Sequence, residues 1–241
     1  RVVDALSEER SRRGGHGRWH VLLDAAKAAA SGPLDLPSTG ASLACVSLYK
    51  IFGEPTGLGA LLVRADLATL LRRDGAAYFG GGSVATVLAA EDHRVPKDSI
   101  AEALASGTAH FRGLLSVPAG FESLRRLGGM SAIAAHTTCL TTELVKRLRA
   151  LRHANGQPAV VLYGPWASLE DPEDDSIPDP MAPAKAAGPT VAFNLMRHTG
   201  EFVGYSEVQK LAALHTPPIQ LRGGCCCNPG GCQRILGLHA S

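Results

Sequence analysis

Two charged side chains, Asp24 and Lys50, each follow an apolar segment typical of a buried strand: residues 19–23 and residues 41–48. Ligands of α/β sheets bind at the carboxyl ends of the strands. A desolvated lysine has a lowered pKa and an amine free for imine chemistry, and a carboxylate can keep a pyridine nitrogen protonated. Together the two residues indicate a pyridoxal phosphate site. Taken singly, each residue has another interpretation. Asp24 could equally be the N-cap of a short helix over residues 25–30, and Lys50 could be an ordinary surface lysine.

A glycine run at residues 80–82, followed by Ser83, precedes a segment that we predict to be a helix over residues 84–90. The backbone N–H groups of such a turn and the helix N-terminus can bind a phosphate, and the Ser83 hydroxyl adds a donor. An ordinary flexible turn is the alternative.

Four of the six cysteines lie close together, at Cys225, Cys226, Cys227 and Cys232. Disulfide frameworks use spaced cysteines in small secreted chains, so this cluster indicates either metal ligation or a reactive thiol in a reducing compartment. A structural zinc site takes spaced ligand pairs, and adjacent cysteines cannot all converge on one ion. We therefore predict no metal and a mobile loop with a nucleophilic thiolate, whose pKa is lowered by nearby positive charge.

Arg222 precedes the cysteines, at the end of a strand predicted over residues 219–222. Its guanidinium is suited to bidentate binding of a carboxylate, such as that of an amino-acid substrate. Successive side chains of an extended segment point to opposite sides. We therefore expect Cys225 and Cys227 to share one side and Cys226 to face away.

The elements that position these residues begin as strands alternating with short connections. Apolar runs predict strands at residues 19–23, 41–48 and 59–64, which favours an α/β layer structure over a sandwich. The remaining predictions are helices at 2–12, 130–151 and 204–214, strands at 158–163, 190–196 and 219–222, and an acidic, proline-rich surface loop at 167–188.

Composition and charge exclude several classes of protein. With 24 basic and 22 acidic residues, the formal net charge is +2, which gives no basis for nucleic-acid binding. No apolar run of about 18 residues predicts a membrane span, and no signal peptide opens the chain, so nothing indicates secretion. The clustered cysteines indicate a reducing compartment, so we expect a cytoplasmic protein. The first residue is not Met, so we also expect a fragment.

Four ordered motifs closely resemble the molybdenum cofactor sulfurases, which carry a cysteine-desulfurase module of the class V aminotransferase fold. The motifs are LLDAAK at 22–27, SLYKIFGEPTGLGAL at 47–61, YFGGGSV at 78–84 and RGGCCCNPG at 222–230. The resemblance extends from about residue 19 to residue 238. It implies an α/β transferase of the pyridoxal phosphate-dependent type I fold. Residues 1–118 would be the C-terminal part of an incomplete large domain, and residues 119–241 a small α+β domain with the cysteine loop.

The resemblance also implies roles for residues in these motifs. Lys50 resembles the lysine that binds the cofactor covalently, Asp24 the partner of the pyridine nitrogen, and Ser47 a phosphate ligand. Ser83 would contact the phosphate of the other subunit's cofactor, because this fold builds its sites at a homodimer interface. Arg222 resembles the substrate-carboxylate ligand, and Cys227 occupies the persulfide position.

Three positions depart from the wider desulfurase pattern. Tyr49 stands where that pattern has His, and Lys27 where it has Gln. Both suit the sulfurase branch better, and the resemblance implies that both contact the cofactor. Cys226 replaces the usual Phe, which puts three thiols side by side.

The function implied by the resemblance is sulfur transfer from L-cysteine. Alanine is released, the sulfur is held as an enzyme persulfide, and it passes to the molybdenum cofactor of a molybdenum hydroxylase. Three alternatives stay open: a general cysteine desulfurase serving another acceptor, a truncated non-catalytic scaffold that only dimerises or binds a partner, and a small zinc-binding protein.

Overall fold

The structure, a computed structural model, describes residues 9, 12, 19–53, 57–71, 79–167 and 188–238 of the chain. Residues 9 and 12 are helical, and the rest of the predicted helix 2–12 lies outside the described residues, as do residues 168–187 of the predicted acidic loop. The chain divides into two compact units, Arg1–Ala134 and Ala135–Ser241. The domain boundary at residue 118 stays a prediction, and Pro118 itself lies inside a helix.

The helices and strands that begin in the first unit are β1 (Leu22–Asp24), α1 (Leu36–Thr39), β2 (Leu43–Ser47), α2 (Leu48–Phe52), β3 (Gly59–Val63), α3 (Ala68–Leu71), β4 (Val84–Val87), β5 (Arg94–Pro96), α4 (Ile100–Leu104), α5 (Phe111–Arg126) and α6 (Gly129–Ala150). Helix α6 continues past the division between the units. Among the described residues of the whole chain, no helix is both long and apolar enough to cross a membrane.

The central sheet of the first unit pairs β1 with β2 in parallel and β2 with β3 in antiparallel orientation. A Cβ atom on Gly59 would lie 2.6 Å from the carbonyl oxygen of Val46, so glycine permits the close approach of β3 to β2. The three strands predicted here are confirmed, although all three are shorter than predicted and β1 extends to Asp24. Leu22 is 58% exposed, so β1 is not the buried strand that its apolar sequence indicates.

The segment after the glycine turn is a strand, whereas the sequence predicts a helix over residues 84–90. β4 pairs antiparallel with β5. The β-branched side chains of Val84, Thr86 and Val87 favour the extended conformation, because their χ1 angles are restricted in a helix. The predicted helix is therefore wrong, and the turn at residues 80–82 leads into β4.

Helix α5 packs against α2, the short helix that contains Lys50. The rings of Phe52 and Phe121 meet edge to face, with centroids 5.3 Å apart, a geometry that aromatic pairs prefer. A Cβ atom on Gly120 would collide with the Phe52 ring, so glycine allows this close packing. The sequence analysis did not predict α5, because Pro118 in its interior ordinarily breaks a helix.

The second unit contains the end of α6, followed by β6 (Val160–Leu162), β7 (Phe193–Leu195), α7 (Tyr205–Ala213) and α8 (Pro229–Leu236). β6 and β7 pair antiparallel. These elements confirm the strands predicted at 158–163 and 190–196 and the helices predicted at 130–151 and 204–214.

The core of the second unit is built around Trp166 and Val145, which are 3% and 4% exposed. Leu162 and Val191 pack against them. The indole Nε1 of Trp166 donates to the carbonyl oxygen of Thr190 at 3.1 Å. Its polar atom is thus satisfied while its ring is buried.

The strand predicted over residues 219–222 does not form, and the segment is irregular. Gln209 of α7 donates through Nε2 to the carbonyl oxygen of Leu221 at 2.9 Å. This backbone carbonyl thus receives its hydrogen bond from a side chain and not from a neighbouring strand. Helix α8, which the sequence analysis did not predict, begins after Asn228. The Asn228 Oδ1 caps it by accepting a hydrogen bond from Gly231 N at 3.0 Å.

Candidate functional site

Asp24 is the last residue of β1 and lies opposite Cys45 of β2. Ala25 N donates to the carbonyl oxygen of Cys45 at 2.9 Å, so pairing with β2 continues beyond the strand. The Asp24 Oδ1 accepts a hydrogen bond from Ala26 N at 3.1 Å, and Cys45 Sγ lies 3.9 Å from the same oxygen. Asp24 is exposed, so its carboxylate is accessible at the carboxyl end of β1.

Lys27 lies in the turn that follows β1, and its side chain is exposed. It is the N-cap of a single 3₁₀ turn at Ala28–Ala30, and its carbonyl oxygen accepts from Ala30 N at 3.1 Å. The short helix predicted over residues 25–30 is therefore one turn, and Asp24 is not its N-cap.

Lys50 is the third residue of α2, which starts directly after β2. Its Nζ lies 5.8 Å from the centroid of the Tyr49 ring, within the range of a cation–π contact. Both side chains are exposed. The desolvation of Lys50 that the sequence analysis expects is therefore not present in the described structure.

Ser47 forms the junction between β2 and α2. It pairs with Gly59 of β3 and is also the N-cap of α2. Leu48 N donates to the carbonyl oxygen of Leu58 at 3.1 Å, which fixes the start of α2. Among the described residues, the Ser47 hydroxyl makes no capping hydrogen bond, so it can donate to a ligand.

Ser83 lies at the end of the glycine turn and is 3% exposed. Its hydroxyl donates to the carbonyl oxygen of Gly80 at 2.5 Å, and its N–H donates to the same oxygen at 3.2 Å. A Cβ atom on Gly80 would collide with Ser106, so the chain is closely packed at the start of the turn, whereas Gly81 and Gly82 are exposed. The hydroxyl proton of Ser83 is thus used within its own turn, and a role as a phosphate ligand stays a prediction.

In the second unit, Arg222 lies beside the thiols of Cys226 and Cys227. Its Nη2 is 3.6 Å from Cys227 Sγ, and contact with Cys226, followed by the charges of both thiols, raises the pKa of Arg222. Cys226 and Cys227 have φ angles of 48° and 67°, so the segment is not extended. The extended conformation on which the predicted opposite placement of Cys226 rests is therefore absent, and Cys226 Sγ contacts the carbonyl oxygen of Gly224 at 3.5 Å.

Helix α7 fixes the segment that carries Arg222. A Cβ atom on Gly223 would lie 2.6 Å from both Gln209 Oε1 and Tyr205 Cδ2, so glycine lets the chain pass directly against α7. On the other side of Arg222, Leu221 accepts the hydrogen bond from Gln209. Both chain neighbours of Arg222 are therefore held by α7.

The structure thus contains two groups of the residues singled out in the sequence. In the first unit, β1, β2 and α2 bring Asp24, Ser47 and Lys50 to the carboxyl ends of two parallel strands. In the second unit, Arg222 and Cys227 are in contact. Within the described residues, no group of three or more His, Cys, Asp or Glu side chains is arranged to hold a metal ion.

The sequence analysis missed three residues of these groups: Cys45, Cys226 as a partner of Arg222, and Gln209. The two-residue period of β2 could have placed Cys45 on the same face as Ser47. Nothing in the sequence signals the contacts of Cys226 or Gln209, since they depend on left-handed backbone and on the packing of α7.

The chain belongs to the class V aminotransferase family, because the family model described as aminotransferase class-V matches residues 15–160. Enzymes of this family depend on pyridoxal phosphate. The matched span includes Asp24, Ser47 and Lys50 as well as the glycine turn. The fold class implied by the resemblance is therefore confirmed.

Among curated proteins, the chain is similar to molybdenum cofactor sulfurases of Bos taurus (44% identity over 92% of this chain), Homo sapiens (42% over 92%) and Arabidopsis thaliana (45% over 93%). It spans 23%, 23% and 25% of the lengths of these relatives. The resemblance to this family is thereby confirmed.

Two solved structures share the fold. A cysteine desulfurase from Thermococcus onnurineus has a TM-score of 0.56 at 17% identity, over 98% of this chain and 48% of that chain. The cysteine desulfurase CsdA from Escherichia coli has a TM-score of 0.57 at 18% identity, over 91% of this chain and 43% of that chain. At such identities the likeness shows the fold.

Proposed function

We propose that this chain binds pyridoxal phosphate and transfers sulfur from L-cysteine, releasing alanine. The observation that carries the proposal is the parallel pairing of β1 with β2, which sets Asp24 beside the strand that leads directly into the helix of Lys50. The family membership and the names of the relatives support the same reaction.

The side chains at this sheet edge suit the polar parts of pyridoxal phosphate. The aldehyde reacts with an amine, the pyridine nitrogen pairs with a carboxylate, and the phosphate accepts hydrogen bonds. Lys50, Asp24 and Ser47 supply these three groups. Tyr49 and Lys27 extend the set, with an aromatic ring beside Lys50 and a second cation after Asp24. When bound, the cofactor withdraws electrons from the α-carbon of an amino acid.

Each residue of the first unit has a defined task in the proposed reaction. Lys50 would hold the cofactor through Nζ and would move a proton with the same nitrogen once that nitrogen is free. Asp24 keeps the proton on the pyridine nitrogen. Ser47 orients the phosphate through its hydroxyl.

In the second unit, Arg222 binds the substrate carboxylate and Cys227 accepts the sulfur. Nη2 of Arg222 lies 3.6 Å from Cys227 Sγ, and the thiolate is the nucleophilic form of a cysteine. The Cys227 thiolate attacks the substrate sulfur, so that an S–S bond forms and the C–S bond breaks. The electron pair of that bond stays with carbon, which takes a proton and leaves as alanine.

We further propose that the persulfide sulfur passes to the molybdenum cofactor of a molybdenum hydroxylase, following the names of the relatives. A general desulfurase serving another acceptor is the alternative. Persulfide-loaded protein should restore activity to a hydroxylase whose terminal sulfur has been removed with cyanide. Failure of this transfer, with persulfide formed, favours the alternative. The homodimer belongs to the same proposal, and sedimentation tests it.

The central experiment incubates the purified chain with pyridoxal phosphate and L-cysteine. We expect a visible absorbance band from bound cofactor, alanine in solution and cyanide-labile sulfur on the protein. A protein with none of the three supports the scaffold alternative. Stoichiometric zinc in the purified protein supports the zinc-binding one.

A further inference from the structure

The irregular segment of residues 219–223 is attached to helix α7 at more than one point. At the start of the segment, Ile219 N donates to the carbonyl oxygen of Ala212, near the end of α7, at 3.0 Å. Two residues further on, the carbonyl oxygen of Leu221 accepts a hydrogen bond from Gln209 Nε2 at 2.9 Å. The first bond joins two backbone groups, whereas the second depends on a side chain, so a substitution can remove it.

The side-chain amide of Gln209 contacts both chain neighbours of Arg222. Its Nε2 donates to Leu221, and a Cβ atom on Gly223 would lie 2.6 Å from its Oε1. Gln209 is half-buried, whereas Arg222 is exposed. The backbone on either side of Arg222 is therefore held by Gln209, while the Arg222 side chain stays accessible.

Helix α7 is in turn attached to the small sheet of the second unit. Glu207 Oε2 pairs with Nη2 of Arg197, which follows β7, at 2.9 Å. Val203 N, just before the helix, donates to the carbonyl oxygen of Leu195 in β7 at 2.9 Å. Gln209 thus belongs to a helix whose start is fixed, and a side chain on a fixed element can hold a neighbouring segment in one position.

We propose that Gln209 is a positioning residue for Arg222: its amide holds the backbone that presents the guanidinium, and so determines the affinity for L-cysteine without contacting the substrate. The inference rests on the proposed function, in which Arg222 binds the substrate carboxylate. Bidentate binding of a carboxylate requires a defined orientation of the guanidinium. Without the donor of Gln209, the Leu221 carbonyl needs water as its partner, the segment moves away from α7, and that orientation is lost.

Gln209→Met tests the proposal, because methionine has nearly the same length as glutamine and carries neither a charge nor a hydrogen-bond donor. Gln220→Met is the matched control, since it makes the same change at an exposed residue of the same segment. Both variants keep Arg222 and every other residue to which we assign a part in the reaction.

The first measurement needs neither cofactor nor substrate. Trypsin cleaves after Arg222, and proteolysis of a folded protein follows the population in which the chain opens locally. We expect cleavage after Arg222, relative to cleavage after Arg152, to be about fivefold faster in Gln209→Met, the shift that loss of one hydrogen bond gives. Gln220→Met should be cleaved like the unaltered chain.

The second measurement is alanine release as a function of L-cysteine concentration. Gln209→Met should raise KM about fivefold and leave kcat unchanged, because it weakens the binding of a substrate group that does not itself react. Gln220→Met should change neither constant. A merely structural role would lower kcat with the amount of folded enzyme and leave KM as it is.

The two measurements separate this inference from the proposed function. Absence of alanine formation in the unaltered chain would contradict the proposed function, whatever the rates of cleavage by trypsin. Equal cleavage after Arg222 in Gln209→Met and the unaltered chain, or an unchanged KM in an active Gln209→Met, would overturn the positioning role of Gln209.

Discussion

Replacing Lys50 by alanine removes the amine at the start of α2, and with it the covalent attachment of the cofactor. We expect that borohydride reduction followed by peptide mapping finds a pyridoxyl adduct on Lys50 in the unaltered chain and none in Lys50→Ala. Lys27 lies in the turn after Asp24 and is the alternative amine, so Lys27→Ala is the control and should keep the adduct. An adduct on Lys27 in the unaltered chain would contradict the assignment of Lys50 as the lysine that binds the cofactor.

Asp24 acts through its charge, so a neutral isostere separates its chemistry from its local hydrogen bond. Asp24→Asn keeps an oxygen that can accept from Ala26 N, as Oδ1 does now. We expect cofactor to remain bound and alanine formation to fall about 100-fold, because a preorganised charge at a reacting group contributes on this scale. Asp35→Asn, another exposed carboxylate of the first unit, is the control. Normal turnover in Asp24→Asn would contradict a catalytic role for the charge and leave Asp24 only its hydrogen bond within the turn.

Cys227 is the proposed sulfur acceptor because its thiol lies beside the guanidinium of Arg222. Cys227→Ala should bind cofactor normally and form no cyanide-labile sulfur with L-cysteine. Cys139→Ala, which alters an exposed cysteine of α6, should behave like the unaltered chain. Cys226 shares the guanidinium, so persulfide formation that survives in Cys227→Ala and disappears in Cys226→Ala would transfer the role to Cys226.

At the scale of elements, α7 determines where Arg222 lies. A methyl group at position 223 meets Gln209 and Tyr205, and overpacking of this kind costs about 1–3 kcal/mol. Gly223→Ala should therefore lower the melting temperature and raise KM for L-cysteine, since the chain shifts beside Arg222. Gly230→Ala, where a Cβ meets nothing within 4 Å, should leave KM unchanged and should not lower the melting temperature. Equal effects of the two substitutions would contradict the contact with α7.

The elements differ in how far the sequence determines them. The strand β3 is predictable because its residues form a continuous apolar run after a Gly/Pro-rich turn. Helix α5 is not, because Pro118 argues locally against a helix and the contact of Gly120 with Phe52 argues for it only in the folded chain. For the segment after Ser83, the glycine run suggests the start of a helix, whereas pairing with β5 makes it a strand.

At the scale of the whole molecule, the chain carries two tryptophans that report on different units. Trp166 is 3% exposed in the second unit, and Trp19 is 45% exposed in the first. Acrylamide should therefore quench the emission of Trp19 strongly and that of Trp166 weakly, so Trp19→Phe should leave an emission that resists quenching. Denaturant unfolding of this variant, followed by fluorescence, then reports on the second unit. Strong quenching in Trp19→Phe would contradict the buried position of Trp166.

The candidate site was predictable where it lies in contiguous motifs and unpredictable where it depends on backbone conformation. Asp24 and Lys50 each follow an apolar strand, so the sequence pattern finds them. The contact of Arg222 with Cys226 requires left-handed cysteines, a conformation that side-chain patterns do not encode. The exposure of Lys50 likewise depends on what packs around α2, which periodicity does not reveal.

Phe52 and Gly120 are distant in sequence but lie in contact. The side-chain volume that one position allows therefore depends on the residue at the other. Since α2 ends at Phe52, two residues after Lys50, a larger side chain at position 120 displaces the helix that presents the amine. A smaller side chain at position 52 makes room for it. Substitutions at these two positions are therefore expected to compensate each other, and in chains of this family their volumes should vary inversely during evolution.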